Sequence, residues 1–494
     1  MLKCLVSRRN NEGIISIMKL KLIFLFIFFW YFIAFADELP DLGDSSQLVL
    51  SVKEEQATAR EILKAVAESP QIVQDPEVVD YLKNLGDRLV AYSANKRQQF
   101  NFFVVEDTSI NAFAMIGGVI GIHTGLILAA NNESEVASVL SHEIAHVTQR
   151  HLARMIVQQR NDTFKTAIAL AFALLVARAN PQLSTGTMTA ASAMGIQKGL
   201  DYTRDYEREA DRIGFQILTD AGFDSRAMVS FFNSLQKGTR FSDGASPSFL
   251  RTHPITTERI ADIANRVKEK PYRQVPDNSD FSYIRSKLRA SSGTPQSAVD
   301  EFEGSIKEKR FVNEMTERYG LAIAYMRKND FAKARHEIDW LKINAKRNPL
   351  IENLACKLEV ATNQNTQALN QYLKALITYP NYRALVYGLA EVYLKMNETD
   401  KLIRLINEKL SMYPDDSYFY ELLSKGYAQQ GKELLQYQAQ AESYYRKFNL
   451  PLAIQQMEFA AKSKDGDFYQ KSIVESRLKQ LKFENSLEDV KDKK

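Results

Sequence analysis

A chain of 494 residues with 45% hydrophobic and 25% charged residues exceeds one ordinary core while keeping a globular composition, so two or more domains are expected. Its 64 basic and 60 acidic residues leave a formal charge of only +4, and no basic stripe is interleaved with aromatics. That balance excludes a nucleic-acid partner.

Lys19 and Lys21 precede an apolar run from Leu22 to Phe35, and Ala34-Phe35-Ala36 supplies small residues at a cleavage point before Asp37. This is the plan of a secretory signal, predicted over residues 1–36, with Met18 a candidate true start. Cys4 lies ahead of the apolar run, which leaves Cys356 alone in the exported chain, so no internal disulfide is predicted there. An exported chain without a disulfide points to a bacterial periplasm.

Residues 37–270 read as one domain. The pattern VVDYLKNLGDRLVAY (78–92) is helical, whereas NFFVV (101–105) and VIGIHTGLI (119–127) read as strands, with Gly117-Gly118 marking a turn. A long helix is predicted from Glu133 to about Gln159, with Asn132 as N-cap and Glu135 as its capping-box partner. The apolar run 166–177 is too short to cross a bilayer and reads as a buried helix, with at most peripheral membrane contact. Residues 181–199 are small and polar and read as a loop, after which a helix resumes near Asp205.

Residues 271–305 read as a linker, and from about 306 the text becomes repetitive. Tyr319-Gly320-Leu321-Ala322 recurs as Tyr387-Gly388-Leu389-Ala390, two periods of 34 apart, while Pro349, Pro380 and Pro414 close successive units by stopping the second helix. A 34-residue helix–turn–helix period is the tetratricopeptide signature. An all-α solenoid over 306–485, with a concave surface for protein partners and a charged tail at 486–494, is therefore predicted. The match is imperfect, because Glu359 stands where a Tyr is expected and 441–462 falls off the register.

The chain has six histidines, three of them within VASVLSHEIAHVTQRH. His142 and His146 frame an H-E-x-x-H motif, and at 3.6 residues per turn both rings project from one helix face toward a single Zn²⁺. Glu143 lies around the helix from them, placed to miss the metal and act as general base. His151 falls about 140 degrees around a continuous helix from His146, off the ligand face. A third ligand is required. In TRDYEREADRIG, Glu207 and Asp211 share a face, and spacing alone does not exclude Glu209.

His-Glu-x-x-His followed some 60 residues later by Glu-x-x-Ala-Asp resembles the HtpX-type zinc metallopeptidases. The resemblance implies a gluzincin-type α+β peptidase domain, mainly helical with a small sheet, ahead of the all-α solenoid. It also implies one Zn²⁺ per chain held by His142, His146 and Glu207, and Asp211 orienting a ligand His. His253, in Leu250-Arg251-Thr252-His253-Pro254, is implied as a regulatory fourth ligand, against a simpler loop-capping role. The strand with Val119, Gly121 and His123, together with INAFAM (110–115), sits where that family has its substrate-binding edge. With the export signal and repeat tail, the resemblance implies a periplasmic endopeptidase acting at the outer membrane. Its expected partners are misassembled proteins, outer-membrane β-barrel proteins and their insertion machinery. The alternative is a non-enzymatic chaperone or assembly adaptor acting through the repeats.

Overall fold

The computed structural model describes residues 51–95, 98–159, 204–241, 248–271, 275–276 and 278–492. The signal segment, the apolar run 166–177, the 181–199 loop and the end of the charged tail lie outside the described residues.

Helices α1 (Val52–Glu68) and α2 (Pro76–Val90) precede three strands, β1 (Asn101–Val105), β2 (Ala112–Met115) and β3 (Val119–His123). The sheet order is β1-β3-β2, with β1 parallel and β2 antiparallel to β3. This corrects the edge-strand expectation for Val119, Gly121 and His123. The strand that carries them is central and buried along its whole length, as its unbroken run of apolar and small residues favours. His123 is 5% exposed and its Nδ1 lies 2.8 Å from Ser109 Oγ, so it is a packed residue at the end of that strand. Strand β2 lies at an edge of the sheet instead. The predicted turn is a short 3-10 segment in which Gly117 and Gly118 both take positive φ, and a Cβ on Gly118 would lie 2.1 Å from the Gln99 carbonyl oxygen.

After α3 (Thr124–Ala129), helix α4 (Glu133–Thr148) runs through the core, buried from Glu133 to Val147. Asn132 caps it by accepting from the Glu135 amide at 3.0 Å, and the Glu135 carboxylate accepts from the Asn131 amide at 2.7 Å rather than from Asn132. The helix expected to continue to Gln159 instead breaks. Arg150 turns into the left-handed region at φ 54, held by its Nη2 at 2.6 Å from Glu55 Oε1, and α5 (His151–Gln159) leaves in a new direction. Helices α6 (Arg204–Asp220), α7 (Ala227–Phe241), α8 (Ser248–Thr252) and α9 (Thr257–Lys268) complete the first half. Among them α6 lies along α4 at close range, because a Cβ on Gly214 would meet the His142 N and Cα and the Ser141 carbonyl oxygen at 3.0 Å.

The stretch read as a linker contains α10 (Ser279–Ser291) and α11 (Pro295–Lys307), which start the helical array. Further pairs follow: α12 (Glu314–Arg327) with α13 (Phe331–Asn344), α14 (Pro349–Ala361) with α15 (Asn365–Thr378), and α16 (Arg383–Lys395) with α17 (Thr399–Leu410). The last are α18 (Ser417–Gln429) with α19 (Glu433–Arg446), and α20 (Leu450–Lys462) with α21 (Phe468–Asp492). First helices thus start every 33 to 35 residues, and the 441–462 stretch spans the turn between two pairs. Gly320 and Gly388 are small because Phe302 and the Tyr372 ring fill the space where their Cβ atoms would stand. Glu359, the apparent misfit, is buried against Arg335, whose two terminal nitrogens donate to its oxygens at 2.6 and 2.9 Å. Pro349 starts a first helix at N1, behind the Asn348 cap, rather than ending a second helix.

The two halves share their interior. One apolar cluster runs from Val78 through the sheet and α4 to Leu358. Helix α2 is gripped by the repeats: Lys287 pairs with Asp75 at 2.5 Å and with Glu77, and Glu77 also accepts from Asn353 at 2.9 Å and Tyr382 at 3.2 Å.

Candidate metal centre

His142 and His146 stand one turn apart on α4, with Nε2 atoms 3.0 Å apart. Helix α6 brings Glu207 beneath them, its carboxylate 3.5 Å from His142 Nε2 and 3.4 Å from His146 Nε2. The segment after α8 adds His253, whose Nδ1 is 2.9 Å from Glu207 Oε1 and 3.4 Å from His142 Nε2. All four side chains are at most 2% exposed, and one ligand atom from each lies within 4.8 Å of the others.

These spacings fit a metal. Four ligands placed tetrahedrally at about 2.0–2.1 Å from Zn²⁺ stand about 3.3 Å from one another, and the donor atoms here are spread around that value. Two imidazoles and a carboxylate plus a third imidazole is the nitrogen-and-oxygen donor set zinc takes. Glu209, left open by spacing, points away from the cluster toward His151 and Arg154, so α6 contributes Glu207 alone to the donors.

Outer groups hold the inner ones. His142 Nδ1 sits 3.0 Å from Asp211 Oδ1, and Asp211 is clamped by Arg259, whose Nε and Nη2 donate at 2.6 and 2.7 Å. Arg259 also reaches Glu207 Oε2 at 2.7 Å. Burial opposes a charged His142, yet Asp211 and Glu207 outweigh it and raise its pKa to about 10. Burial alone would raise Glu207, but His253, His142 and His146 hold it well below the usual carboxylate range. His146 is driven the other way, well below the usual imidazole value, chiefly by burial.

Glu143 is fully buried and its two oxygens find no hydrogen bond of normal geometry among the described residues. Burial raises its pKa, against the lowering pull of His253 and His142. A carboxylate whose proton affinity burial raises, beside a metal cage, is suited to taking and returning a proton. It faces the open edge of the sheet. The Asn111 carbonyl accepts from the His123 amide at 3.0 Å, so strand alternation turns the amides and carbonyls of Ala112 and Ala114 away from β3. Among the described residues no other strand pairs with that side of β2.

The sequence-predicted residues His142, Glu143, His146, Glu207, Asp211 and His253 are therefore brought together, and Val119, Gly121 and His123 are not. Two contributors escape sequence reasoning. Arg259 has no motif to mark it. His151 is off-face on a continuous helix, but the break at Arg150 swings its Nδ1 to 2.9 Å from His146 Nδ1. His336 is exposed in the repeats and Cys356 is buried, its thiol pushed up to about 12, chiefly by burial.

Residues 76–267 match the model of peptidase family M48. The chain is 31% identical over 455 residues to the beta-barrel assembly-enhancing protease of Escherichia coli K12, covering 90% of this chain and 92% of that protein. It is 32% identical to a putative beta-barrel assembly-enhancing protease of Vibrio cholerae over 85% of this chain and 87% of the relative. Similarity extends, at 28% identity over 38% of this chain and 53% of the relative, to the mitochondrial metalloendopeptidase OMA1 of Schizosaccharomyces pombe.

Proposed function

The chain belongs to the beta-barrel assembly-enhancing proteases, zinc metallopeptidases of family M48, and on that premise we propose that it is an exported endopeptidase of the periplasm. In this reading it clears misassembled outer-membrane β-barrel proteins, and its repeats engage those clients and their insertion machinery. The observation that carries the reading is the convergence of His142, His146 and Glu207 beside a buried Glu143, whose Oε1 lies 3.6 Å from His253 Nε2, under an open strand edge.

His142, His146 and Glu207 would hold a zinc ion, which when bound would supply Lewis acidity toward the scissile carbonyl and an attacking water. Glu143 accepts the proton of that water and delivers it to the leaving amine. Ala112 and Ala114 present outward amides and carbonyls, on which an extended substrate docks as an added antiparallel strand. Such docking favours unfolded or strand-presenting clients, since a folded sheet offers no free strand.

In this reading His253 closes the site. His142, His146, Glu207 and His253 would together hold a zinc ion through protein donors alone, which suits a structural rather than a working site. Its segment is pinned to the substrate edge, where the Phe249 amide donates to the Ile110 carbonyl at 3.1 Å, and Phe249 stacks on the His253 ring at 4.7 Å between centroids. A strand added along that edge meets this contact, so client docking and release of His253 are linked.

The test is cleavage of an unfolded protein by the zinc-loaded chain. Glu143→Gln should lower kcat by at least about 100-fold with zinc content unchanged, the scale of lost general-base catalysis. Unaltered cleavage by Glu143→Gln removes the mechanism. His253→Ala should raise basal cleavage, and an unchanged rate removes the closing role.

A further inference from the structure

Two imidazoles whose Nδ1 atoms face each other across 2.9 Å cannot both carry a proton there, which leaves little freedom in where their protons sit. For His146 to offer a lone pair at Nε2, where the metal donors converge, its one proton must be on Nδ1. That N–H needs a buried acceptor, and the atom in place is His151 Nδ1. His151 then carries its own proton on Nε2, which points at Glu209 Oε2 at 3.1 Å. Glu209 is in turn 3.4 Å from Arg154 Nη1. Each group passes the requirement outward until it ends on a carboxylate.

We propose that His151, backed by Glu209, is a positioning residue that fixes the His146 tautomer and aims its Nε2 at the metal. The inference rests on the zinc-site reading and adds a residue to it that the H-E-x-x-H motif does not contain.

The surroundings fit the role. His151 is 0% exposed, so its ring is held by protein. The Tyr206 ring stacks on it at 4.7 Å with planes 20 degrees apart. One helix, α6, therefore supplies the ligand Glu207, the ring under His151 and the carboxylate that ends the chain. The left-handed turn at Arg150 is what lets a residue five positions after His146 face back toward it. The two ligand histidines are thus backed differently. His142 leans on Asp211 with its Arg259 clamp, while His146 leans on a neutral ring whose carboxylate is one step removed.

Outer partners of ligating histidines are worth about 10–100-fold in metal affinity. The full chain is tested as His151→Phe and His151→Asn. Asparagine keeps an acceptor oxygen near the Nδ1 position while losing the bond to Glu209; phenylalanine keeps the ring and loses both. Zinc affinity, measured by competition with a chromophoric chelator, should fall about 10–100-fold in His151→Phe and by no more than a few-fold in His151→Asn. In the metal-free protein, nitrogen-15 spectra of the imidazoles should show His146 protonated at Nδ1 in the parent chain and a mixture of tautomers in His151→Phe. Equal zinc affinity in His151→Phe and the parent, or equal loss in both variants, overturns the proposal, because a purely packing role makes no distinction by acceptor. His142→Ala serves as control for the site itself. If it binds zinc as tightly as the parent, or the parent binds none, the zinc-site reading fails and takes the proposal with it.

Discussion

Gly214→Ala isolates what the closeness of α6 and α4 contributes. Gly214 lies two turns beyond Glu207 on the same face, and a Cβ there would stand 3.0 Å from three backbone atoms of Ser141 and His142. Contacts that tight make the helices part by a few tenths of an ångström, and backbone cannot swing aside as a side chain does. Two opposing effects bear on stability. Alanine favours the helix over glycine by about 1 kcal/mol, while overpacking costs about 1–3 kcal/mol, so the net loss is about 0–2 kcal/mol. The site is less forgiving. Glu207 and Asp211 ride on the displaced helix, and a shift of that size takes up much of the roughly 0.5 Å within which donor geometry must hold, so zinc affinity and kcat/KM should each fall several-fold. Chemical denaturation, chelator competition and cleavage kinetics measure the three quantities separately. If Gly214→Ala is stabilised by about 1 kcal/mol and keeps parental zinc affinity and kcat/KM, the close approach does not position the ligands and the reasoning is refuted.

Lys287→Met removes the cation that faces Asp75 and the buried Glu77; urea denaturation should register a loss of about 3 kcal/mol, eased when Glu77→Gln is added, and a loss no smaller in the double variant would contradict a charge-based joint. Asn363 is exposed and holds φ 59 between α14 and α15, so Asn363→Val should cost about 1–2 kcal/mol in thermal unfolding whereas Asn363→Gly should cost none. Glu442 accepts from Arg477 at 2.7 Å and from Arg446 at 2.5 Å, and although burial opposes this, the two arginines hold its pKa below the usual 4.5. Because the folded value is depressed, its contribution is present above about pH 4.5 and lost as pH falls through the folded value. Stability against pH for Glu442→Gln should therefore be flatter on the acid side than for the parent, and parallel curves would dismiss the pair.

What could be read ahead of the structure follows from how far each signal reaches along the chain. The pairing of His142 with His146 is fixed by helix geometry alone, and the cap at Asn132 by the four residues from Asn132 to Glu135. Glu207 and His253 are brought in by tertiary packing, and only the resemblance to known peptidases singled them out. His151 was dismissed because the angular count assumes an unbroken helix; arginine is not a residue that announces a left-handed turn, and the contact with Glu55 that holds it is distant in sequence. The edge strand was misassigned for a related reason. Both β2 and β3 are short and apolar, and which of them lies in the middle depends on β1 pairing with β3 across the whole segment. In the repeats a local signal went unused: Asn329, Asn363, Asn397 and Gly431 all take positive φ at intervals of 34, each a residue that tolerates the left-handed turn between paired helices.

The joint between the halves changes how the repeat region is understood. A tail that merely recruits partners would hang from a linker, but α10 and α11 occupy that stretch, and the repeats close on α2 through Lys287, Asn353, Tyr382 and Arg383. The same region reaches the start of the zinc-bearing helix, where Asn278 donates to Glu133 Oε1 at 2.9 Å. Glu77 is 4% exposed, and without its repeat-borne partners it would be a buried carboxylate with its charge uncompensated. The repeats therefore belong to the framework that holds α4, and with it His142, Glu143 and His146. Under the proposed function, a client bound to them would act on elements that contact that helix directly.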